Sequence, residues 1–254
     1  MSRFFHPEIP PAGGSLRLTD AGEVRHLAGS LRLGPGQEVE LADGRGSLAR
    51  ARIVSVSKRE AVLEVLGVER LEPRREGVLC LAQAMLKGAR MDWIVEKSVE
   101  GGVDALWTFT SRHSVPEEDA FLARRERWER IVFSALKQSG APFGPRLENE
   151  ASPAAVLHRA AKEHLGVVLL DPSPRHAPLW KALESRSRDT RGVLLAVGPE
   201  GGFTREEQEE FLSAGAVPAR LSSAVLRGET AAISACSIAR HWIDFFSPWA
   251  IKAE

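Results

Sequence analysis

Residues 194–211 read LLAVGPEGGFTREEQEEF, an apolar run that ends in a glycine-rich turn and leads into a helix. Thr204 is a good N-cap for that helix, and Glu207, three residues later, completes the pattern of a capping box. Strands that stop at a glycine turn and feed a helix often bind nucleotides. The first question is therefore what kind of ligand this turn accepts.

The turn at 198–202, Gly-Pro-Glu-Gly-Gly, matches neither of the two common phosphate motifs, and no lysine follows it. Its glycines permit close backbone approach and positive φ, and its proline stiffens it. The helix that follows carries carboxylates that would repel a pyrophosphate: Glu206, Glu207, Glu209 and Glu210. This pattern favours a loop that offers backbone N–H and C=O groups to an uncharged or cationic ligand. A plain strand-to-helix turn is the alternative.

Apolar runs at 78–85, 104–110, 166–171, 192–198 and 216–222 alternate with helical segments. Near-continuous apolar strands separated by helices are typical of a parallel sheet covered on both faces, so the fold class is α/β. The predicted helices are Asp92–Val99, Phe121–Gln138, Pro153–Glu163, Thr204–Ala214 and Glu229–Phe246.

Residues 1–72 follow a different pattern, with short alternating strands and a hairpin signal at Asp43-Gly44. Helical periodicity there is weak except around Glu23–Leu31. This predicts a small β-barrel, in which an N-terminal strand buries Phe4 and Phe5. The charged segment 71–77 contains a proline and marks the domain boundary.

A second unusual stretch, ARLSSAVLRGETAAISACSIARHW, spans 219–242. It puts polar residues after an apolar run and then opens a helix whose first half consists mostly of small residues. Small residues let backbones approach closely, as where a helix threads between other elements or packs on a twin. Arg227 precedes this helix in a loop, where an arginine is more often functional than structural.

The overall composition excludes few classes of protein. Cationic and acidic side chains both number 34, so net charge gives no argument for nucleic acid. Seven of the cations are lysines and the rest arginines, which suit phosphate and base contacts, although a GC-rich genome also explains the bias. There is no signal-peptide pattern and no apolar run of about 18 residues, so we expect a cytoplasmic protein without a membrane span. Cys80 and Cys236 read as reduced core residues, and the histidines show no metal-ligand spacing.

Both unusual stretches match motifs of one known family. GPEGGFTREE (198–207) matches a G-P-E-G-G-F motif, and LSSAVLRGETA (221–231) matches L-G-x-R-I-L-R-x-E-T-A. The segments 87–104, 128–140 and 2–5 (SRFF) are similar to further stretches of the same family in the same order. The chain thus resembles the ribosomal small-subunit methyltransferase E family of the SPOUT class, over nearly its whole length.

The resemblance implies a PUA-like, RNA-binding β-barrel over 1–72 and a SPOUT methyltransferase domain over 73–254. The SPOUT domain would be a parallel α/β sheet with a C-terminal trefoil knot, and the protein a homodimer. Members of the family use S-adenosylmethionine to methylate N3 of one uridine in 16S rRNA of the small ribosomal subunit. The resemblance implies that cofactor, that RNA partner, and no metal.

The family's cofactor loops fall on Val197–Gly202 and Leu221–Thr230, with the strand end Leu170–Asp171 as a third wall. The implied cofactor residues are Leu170, Val197, Gly198, Pro199, Glu200, Gly201, Gly202, Leu221, Ser222, Val225, Leu226, Arg227, Glu229 and Thr230. Candidates for RNA contact are Arg3, Arg32, Lys87, Arg90, Arg112 and Gln138.

Uridine N3 must lose its proton before or during attack, so the reaction needs a base or a cation that stabilises charge on O2 or O4. Arg227 fits the second role by motif position, and holding a phosphate or loop carbonyls is its alternative. Glu200 is the other catalytic candidate, although a carboxylate bound to backbone N–H groups is the simpler interpretation.

Four positions depart from the family pattern: Gly101, Ala141, Ser222 and Ala224. They leave open a SPOUT methyltransferase that acts on another RNA or atom, such as a ribose 2′-hydroxyl. A non-catalytic RNA-binding relative is the third hypothesis, against which the intact G-P-E-G-G and L-R-x-E-T-A motifs argue.

Overall fold

The computed structural model describes residues 2–114, 120–186 and 189–250. Contacts divide the chain into two compact units, Met1–Pro73 with Leu136–Gly144, and Arg74–Ala135 with Pro145–Glu254. The sequence placed a single boundary between 72 and 73 and did not separate 136–144. This segment belongs to the first unit because it bonds to the turn after Asp43: Gly46 N–H donates to Pro142 O, and Gly144 N–H to Gly44 O, both at 3.0 Å.

The first unit is a five-stranded mixed sheet with the strand order β1-β3-β4-β5-β2. Strand β1 runs parallel to β3, and the other pairs are antiparallel. Two register shifts between β4 and β5 curl the sheet, as bulges do. Its elements are β1 (Arg3–Phe5), β2 (Ser15–Leu18), α1 (Ala21–Arg25, followed by a π-helical turn at His26–Ser30), β3 (Glu38–Ala42), β4 (Ser47–Val56) and β5 (Ala61–Arg70).

The core of the first unit forms on one face of this sheet. Alternate residues of β4 and β5 are buried there, which is the period of two that a strand with one solvated face requires. Phe4 and Phe5 are buried from β1, as predicted. The hairpin signal at Asp43-Gly44 is also confirmed: Gly44 has φ +70°, and the Asp43 carboxylate accepts hydrogen bonds from the N–H groups of Arg45 and Ser47.

The second unit is a seven-stranded sheet with the order β10-β12-β9-β11-β6-β7-β8, in which all pairs are parallel. Its strands are β6 (Val78–Ala84), β7 (Ala105–Phe109), β8 (Arg146–Glu150), β9 (Leu165–Leu170), β10 (Ala177–Pro178), β11 (Gly192–Val197) and β12 (Val217–Arg220). Its helices are α2 (Arg90–Glu100), α3 (Ala120–Ser139), α4 (Pro153–Lys162), α5 (Leu179–Arg186), α6 (Arg205–Ser213) and α7 (Gly228–Phe246). The last turn of α3 belongs to the first unit.

Helices cover both faces of this sheet, as the apolar runs predicted. Every residue of β6, β9 and β11 is buried. Successive side chains point to opposite faces: Leu79 and Leu81 join a core with α2, α5 and α7, while Cys80 and Ala82 join another with α4 and α6. The small residues of α7 let it lie close to the sheet, because Ala232, Ala235, Cys236 and Ala239 are all buried.

The five predicted helices are confirmed, with ends that differ by one or two residues. The short helix α5 and the strands β8 and β10 were not predicted. Among the described residues, no helix is long and apolar enough to span a membrane.

Candidate functional site

A cavity of about 750 Å³ opens at the carboxyl ends of β9, β11 and β12. Ligands of open parallel sheets usually bind in such a crevice. Its walls are the segment 197–203, the segment 221–228 and the strand end 170–172, with Arg90, Gln208, Ala219 and Ala231 completing the lining. The two loops that the motifs singled out therefore meet around one space.

Every implied cofactor residue lines this cavity except two, Glu229 and Thr230. These two follow in the first turn of α7, where Glu229 is buried and Thr230 exposed. The loops approach each other closely at Gly228, where a Cβ would lie 3.3 Å from the Leu86 side chain and 3.7 Å from the Gly198 carbonyl oxygen. A Cβ at 228 would therefore crowd the Leu86 side chain while making an ordinary contact with the glycine loop.

The glycine loop 198–202 is held by hydrogen bonds from two other parts of the second unit. Gln83 Nε2 donates to the Gly198 carbonyl at 3.2 Å. His113 Nδ1 lies 3.1 Å from the carbonyl oxygen of Gly201 and 3.0 Å from that of Gly202. Both of these partners are acceptors, so Nδ1 must carry the proton. Gly202 closes the turn by donating to Pro199 O at 2.9 Å, with φ +70°.

The end of the glycine loop is anchored by aromatic packing and by the predicted capping box. Phe203 stacks on Phe109 with the rings parallel to within 8° and packs against Phe211. The capping box is confirmed: Glu207 N–H donates to Thr204 Oγ1 at 3.3 Å, and Thr204 N–H donates to Glu207 Oε2 at 2.9 Å. These contacts fix the exit of the loop to the sheet.

Glu200 lies in the middle of the glycine loop and is bound by two groups near the start of α2. Arg90 Nη1 donates to Glu200 Oε1, and the Lys87 backbone N–H donates to the same oxygen at 3.2 Å. Burial opposes ionisation of this carboxyl, but the N–H groups of Glu200 and Lys87 and the Arg90 guanidinium outweigh it and lower its pKa. A carboxylate with a lowered pKa is a weak proton acceptor, so this geometry favours loop organisation over base catalysis.

Asp171 gives the opposite wall a second carboxylate. It accepts hydrogen bonds from Gln208 Nε2 at 3.0 Å and from Ser173 N–H at 2.8 Å, and His176 Nε2 lies 3.1 Å away. The lining carries two carboxylates, Asp171 and Glu200, and two guanidiniums, Arg90 and Arg227. Because Arg90 pairs with Glu200, Asp171 is the carboxylate left to favour a cationic ligand.

The loop 221–227 forms the outer rim. Its turn is closed by the Ala224 N–H, which donates to Ser222 Oγ at 3.1 Å. Val225 is 80% exposed, and the Arg227 side chain is exposed as well. Within the described part of the chain, the Arg227 guanidinium has no hydrogen bond or ion pair, although its carbonyl accepts from Ala231 N–H at the start of α7. Its donors are therefore available to a ligand at the rim.

The candidates for RNA contact fall into both units. In the second unit Arg90 lines the cavity, while Lys87 and Arg112 are exposed and use their backbone N–H groups to bind Glu200 and Glu207. In the first unit Arg32 and Gln138 are exposed, but Arg3 is already bound to Glu40 and to the Gly140 carbonyl. Arg3 thus has a structural role within its own unit.

Several residues that shape the cavity were missed by the sequence interpretation, among them Gln83, His113 and Gln208. Gln83 had a usable signal, because it is the one polar side chain in the otherwise apolar run VLCLAQAM. It is fully buried, and its Oε1 has no partner among the described residues. His113 had no signal, since its contacts to the glycine loop span 88 and 89 residues.

The family model described as "RNA methyltransferase domain" matches residues 73–240, and that described as "RNA methyltransferase PUA domain" matches residues 18–66. The chain is 29% identical over 221 residues to the ribosomal RNA small subunit methyltransferase E of Bacillus subtilis, which covers 85% of this chain and 86% of that protein. It is 28% identical over 237 residues to the protein of the same name from Mycobacterium bovis, covering 91% and 88%.

A crystal structure is similar as well. That of a ribosomal RNA small subunit methyltransferase E from Neisseria gonorrhoeae, bound to S-adenosyl methionine, matches with a TM-score of 0.77 at 29% identity, over 95% of this chain and 97% of that one. The predicted resemblance is confirmed, and so is the predicted fold class, a parallel α/β sheet preceded by a small PUA-like domain. The trefoil knot stays a prediction.

Proposed function

The chain belongs to the RNA methyltransferase family, and from that premise we propose that it transfers a methyl group from S-adenosylmethionine to N3 of one uridine in 16S rRNA of the small ribosomal subunit. The observation that carries the proposal is the cavity at the ends of β9, β11 and β12. Its walls are the two loops whose motifs resemble the small-subunit methyltransferase E family.

The residues around the cavity fit this cofactor. The volume of about 750 Å³ falls in the range of small-molecule sites. Leu170, Val197 and Leu221 offer apolar surface for a flat heterocycle, and the Asp171 carboxylate, which pairs with no arginine or lysine among the described residues, suits a cation. The glutamates at the start of α6 argue against a phosphate group there. When bound, S-adenosylmethionine supplies an electrophilic methyl group on a positively charged sulfur.

The chain's own residues would act by holding the cofactor in place and by stabilising the negative charge that develops on the uridine. The glycine loop presents its backbone at close range, since Gln83 and His113 fix its carbonyls and Phe203 its end. A wall that is already in place speeds the reaction by positioning the bound cofactor, because reacting groups held in line need no further ordering before transfer.

Arg227 is the residue we propose for the uridine itself. Loss of the N3 proton puts negative charge on O2 and O4, and a guanidinium at the rim can stabilise it by donating to one of these oxygens while leaving N3 open to the methyl group. Its free donors support this role, and Glu200 is the weaker candidate because its carboxylate is already bound. We assign no general base.

The RNA would be recognised by both units. We propose that the domain over 1–72, whose residues 18–66 match the RNA methyltransferase PUA domain, binds RNA away from the reacting base. Arg32 in this domain, Gln138 in the segment 136–144 of the first unit, and Lys87 and Arg112 in the second unit have exposed side chains for contact with phosphate.

We also propose that the protein is a homodimer. Apolar side chains are exposed on α2 and on α7, which pack against each other: Trp93, Ile238 and Phe245. Exposed apolar side chains on neighbouring helices mark an interaction site, and a second copy of the chain is the partner that the family resemblance implies. Light scattering should give the mass of a dimer for the purified protein, and Phe245→Glu should give a monomer.

Mass spectrometry of nucleosides from small-subunit rRNA tests the reaction. RNA from cells that carry the gene should contain N3-methyluridine, which should be missing when the gene is deleted and return when it is restored. If deletion instead removes a ribose 2′-O-methyl group, the enzyme methylates another atom. If it removes a methyl group from another RNA, the substrate assignment is wrong. Identical nucleosides in both strains, together with RNA binding but no cofactor heat in calorimetry, would point to the non-catalytic relative.

A further inference from the structure

Arg90 contacts two of the cavity walls from a third part of the second unit. It is the first residue of α2, whereas Glu200 lies in the glycine loop and Glu229 in the first turn of α7. Arg90 Nη1 donates to Glu200 Oε1, and Arg90 Nε lies 3.9 Å from Glu229 Oε1. The guanidinium carries its donors on a rigid, planar fork, so Nη1 and Nε can point at two different groups at once.

The charges in this cluster are unbalanced without Arg90. Glu229 has a side chain only 9% exposed, and Arg90 is its one ion-pair partner among the described residues. The second oxygen of Glu229, Oε2, is buried and has no hydrogen-bond partner in that part of the chain. A buried carboxylate depends strongly on its cation, because losing the partner leaves an uncompensated charge in a poorly hydrated place. Arg90 therefore has one charge to serve two carboxylates.

This environment makes Arg90 a poor contact for RNA phosphate. Pulling its guanidinium toward a phosphate would leave both Glu200 and Glu229 without their cation. Lys87, three residues earlier, provides the contrast: it binds Glu200 through its backbone N–H only, and its side chain is exposed. The two cations are close in sequence but differ in what their side chains do.

Building on the proposed function, we infer that Arg90 is a positioning residue for the methyl-donor cavity and does not bind RNA. It ties the glycine loop and the start of α7 to α2, and so sets the separation of the two cofactor loops. The sequence alone had placed it among the RNA contacts.

Two matched variants, Arg90→Ala and Lys87→Ala, separate these roles. Cofactor affinity is measured by calorimetry with S-adenosylmethionine, and RNA affinity by filter binding over a series of salt concentrations. The Arg90–Glu200 pair is partly exposed, so Arg90→Ala should raise the cofactor Kd about 3- to 10-fold. It should leave the salt dependence of RNA binding unchanged. Lys87→Ala should leave the cofactor Kd unchanged and lower the salt slope by about one.

Kinetics give a readout that general loosening of the fold would not imitate. Arg90→Ala should raise the KM for the cofactor, while kcat at saturating cofactor should approach the wild-type value. Arg90→Lys keeps the charge but lacks the rigid fork that directs Nη1 at Glu200 and Nε at Glu229, so its cofactor Kd should lie between those of the wild type and Arg90→Ala. An unchanged cofactor Kd in Arg90→Ala, combined with a lower salt slope, would overturn the inference.

A second substitution protects the test against misfolding. Arg90→Ala strands the buried charge of Glu229, and adding Glu229→Gln removes that charge. The double variant should fold at least as stably as Arg90→Ala and still bind the cofactor weakly, because Glu200 remains untied. Wild-type affinity in the double variant would overturn the inference. Wild-type protein that binds no S-adenosylmethionine would instead refute the proposed function.

Discussion

Glu207 connects the end of the glycine loop to a neighbouring loop, and its removal should cost the second unit much of its stability. Its side chain is almost fully buried at 7% exposure. Its carboxylate accepts hydrogen bonds from three donors: Thr204 N–H at 2.9 Å, Arg112 N–H at 2.9 Å and Ser111 Oγ at 3.2 Å. The substitution Glu207→Ala leaves all three donors without this acceptor.

The size of the loss follows from these contacts. Losing half of a capping box costs about 1 kcal/mol. A buried donor left unpaired costs about 1–3 kcal/mol, and Ser111 is buried, whereas Arg112 is exposed and water can replace its partner. Together these give a loss of about 2–4 kcal/mol in the free energy of unfolding. For a chain of this size, that corresponds to a fall in Tm of roughly 4–16 °C.

The matched control is Glu210→Ala, which removes the same side chain from an exposed position of the same helix. Chemical denaturation of both variants, followed by circular dichroism, should show the full loss for Glu207→Ala and a change within about 0.5 kcal/mol for Glu210→Ala. Glu207→Gln keeps one acceptor oxygen and should fall between the wild type and Glu207→Ala. The reasoning is refuted if Glu207→Ala and Glu210→Ala unfold at the same denaturant concentration.

Three further predictions concern the second unit. Cys80 and Cys236 are free and buried, and burial raises the pKa of Cys236 to about 12, so Ellman's reagent should label neither in the native protein and both after denaturation; labelling of the native protein would contradict this. The pKa of Glu200 is lowered in the folded protein, so its carboxylate contributes to stability above the ordinary pKa of 4.5, and this contribution is lost as the pH falls through the folded pKa. The Tm difference between the wild type and Arg90→Ala should therefore shrink in acid and stay constant between about pH 6 and 8. Arg227→Ala should lower kcat for methyl transfer by about 100-fold or more, because the guanidinium that stabilises charge on the uridine is removed; an unchanged kcat would exclude the proposed role.

The parallel sheet was predictable because its central strands are buried on both faces. Burial on both sides favours apolar residues at nearly every position. The runs that became β9 and β11 are apolar throughout, and the run that became β6 is interrupted only by Gln83. Helix ends were predictable where a local residue sets them, as Thr204 does for α6 and Ser152 does for α4.

The edge strands of the sheet were not predictable, because they are not buried on both faces. Strand β8 has the sequence RLENE. None of its residues is buried, and Glu148 and Glu150 pair with Arg159 of α4. Strand β10 has only two residues. An edge strand has one partner and one open side, so it needs no apolar run. The return of 136–144 to the first unit depends on contacts about a hundred residues apart, which no local pattern encodes.

The two loops of the site were predictable from the sequence, but the hydrogen bonds that hold them in place were not. The motifs identified the residues that line the cavity, yet the contacts that fix those residues come from Gln83, Arg90 and His113, which lie 115, 110 and 88 residues away from their partners in the glycine loop. Local sequence reports what a loop offers, such as glycines and carbonyls. It does not report which distant side chain holds it in place.

These contacts also separate the two catalytic candidates that the sequence left side by side. A group can stabilise charge in a reaction only if its hydrogen-bonding capacity is not already used by the protein. Glu200 uses its carboxylate on Arg90 and Lys87, and the resulting low pKa keeps it ionised without making it a useful base. Arg227 lies at the rim of the same cavity with no partner in the described residues. The two residues therefore have different roles: the paired carboxylate of Glu200 shapes the cavity, and the unpaired guanidinium of Arg227 can bind the substrate.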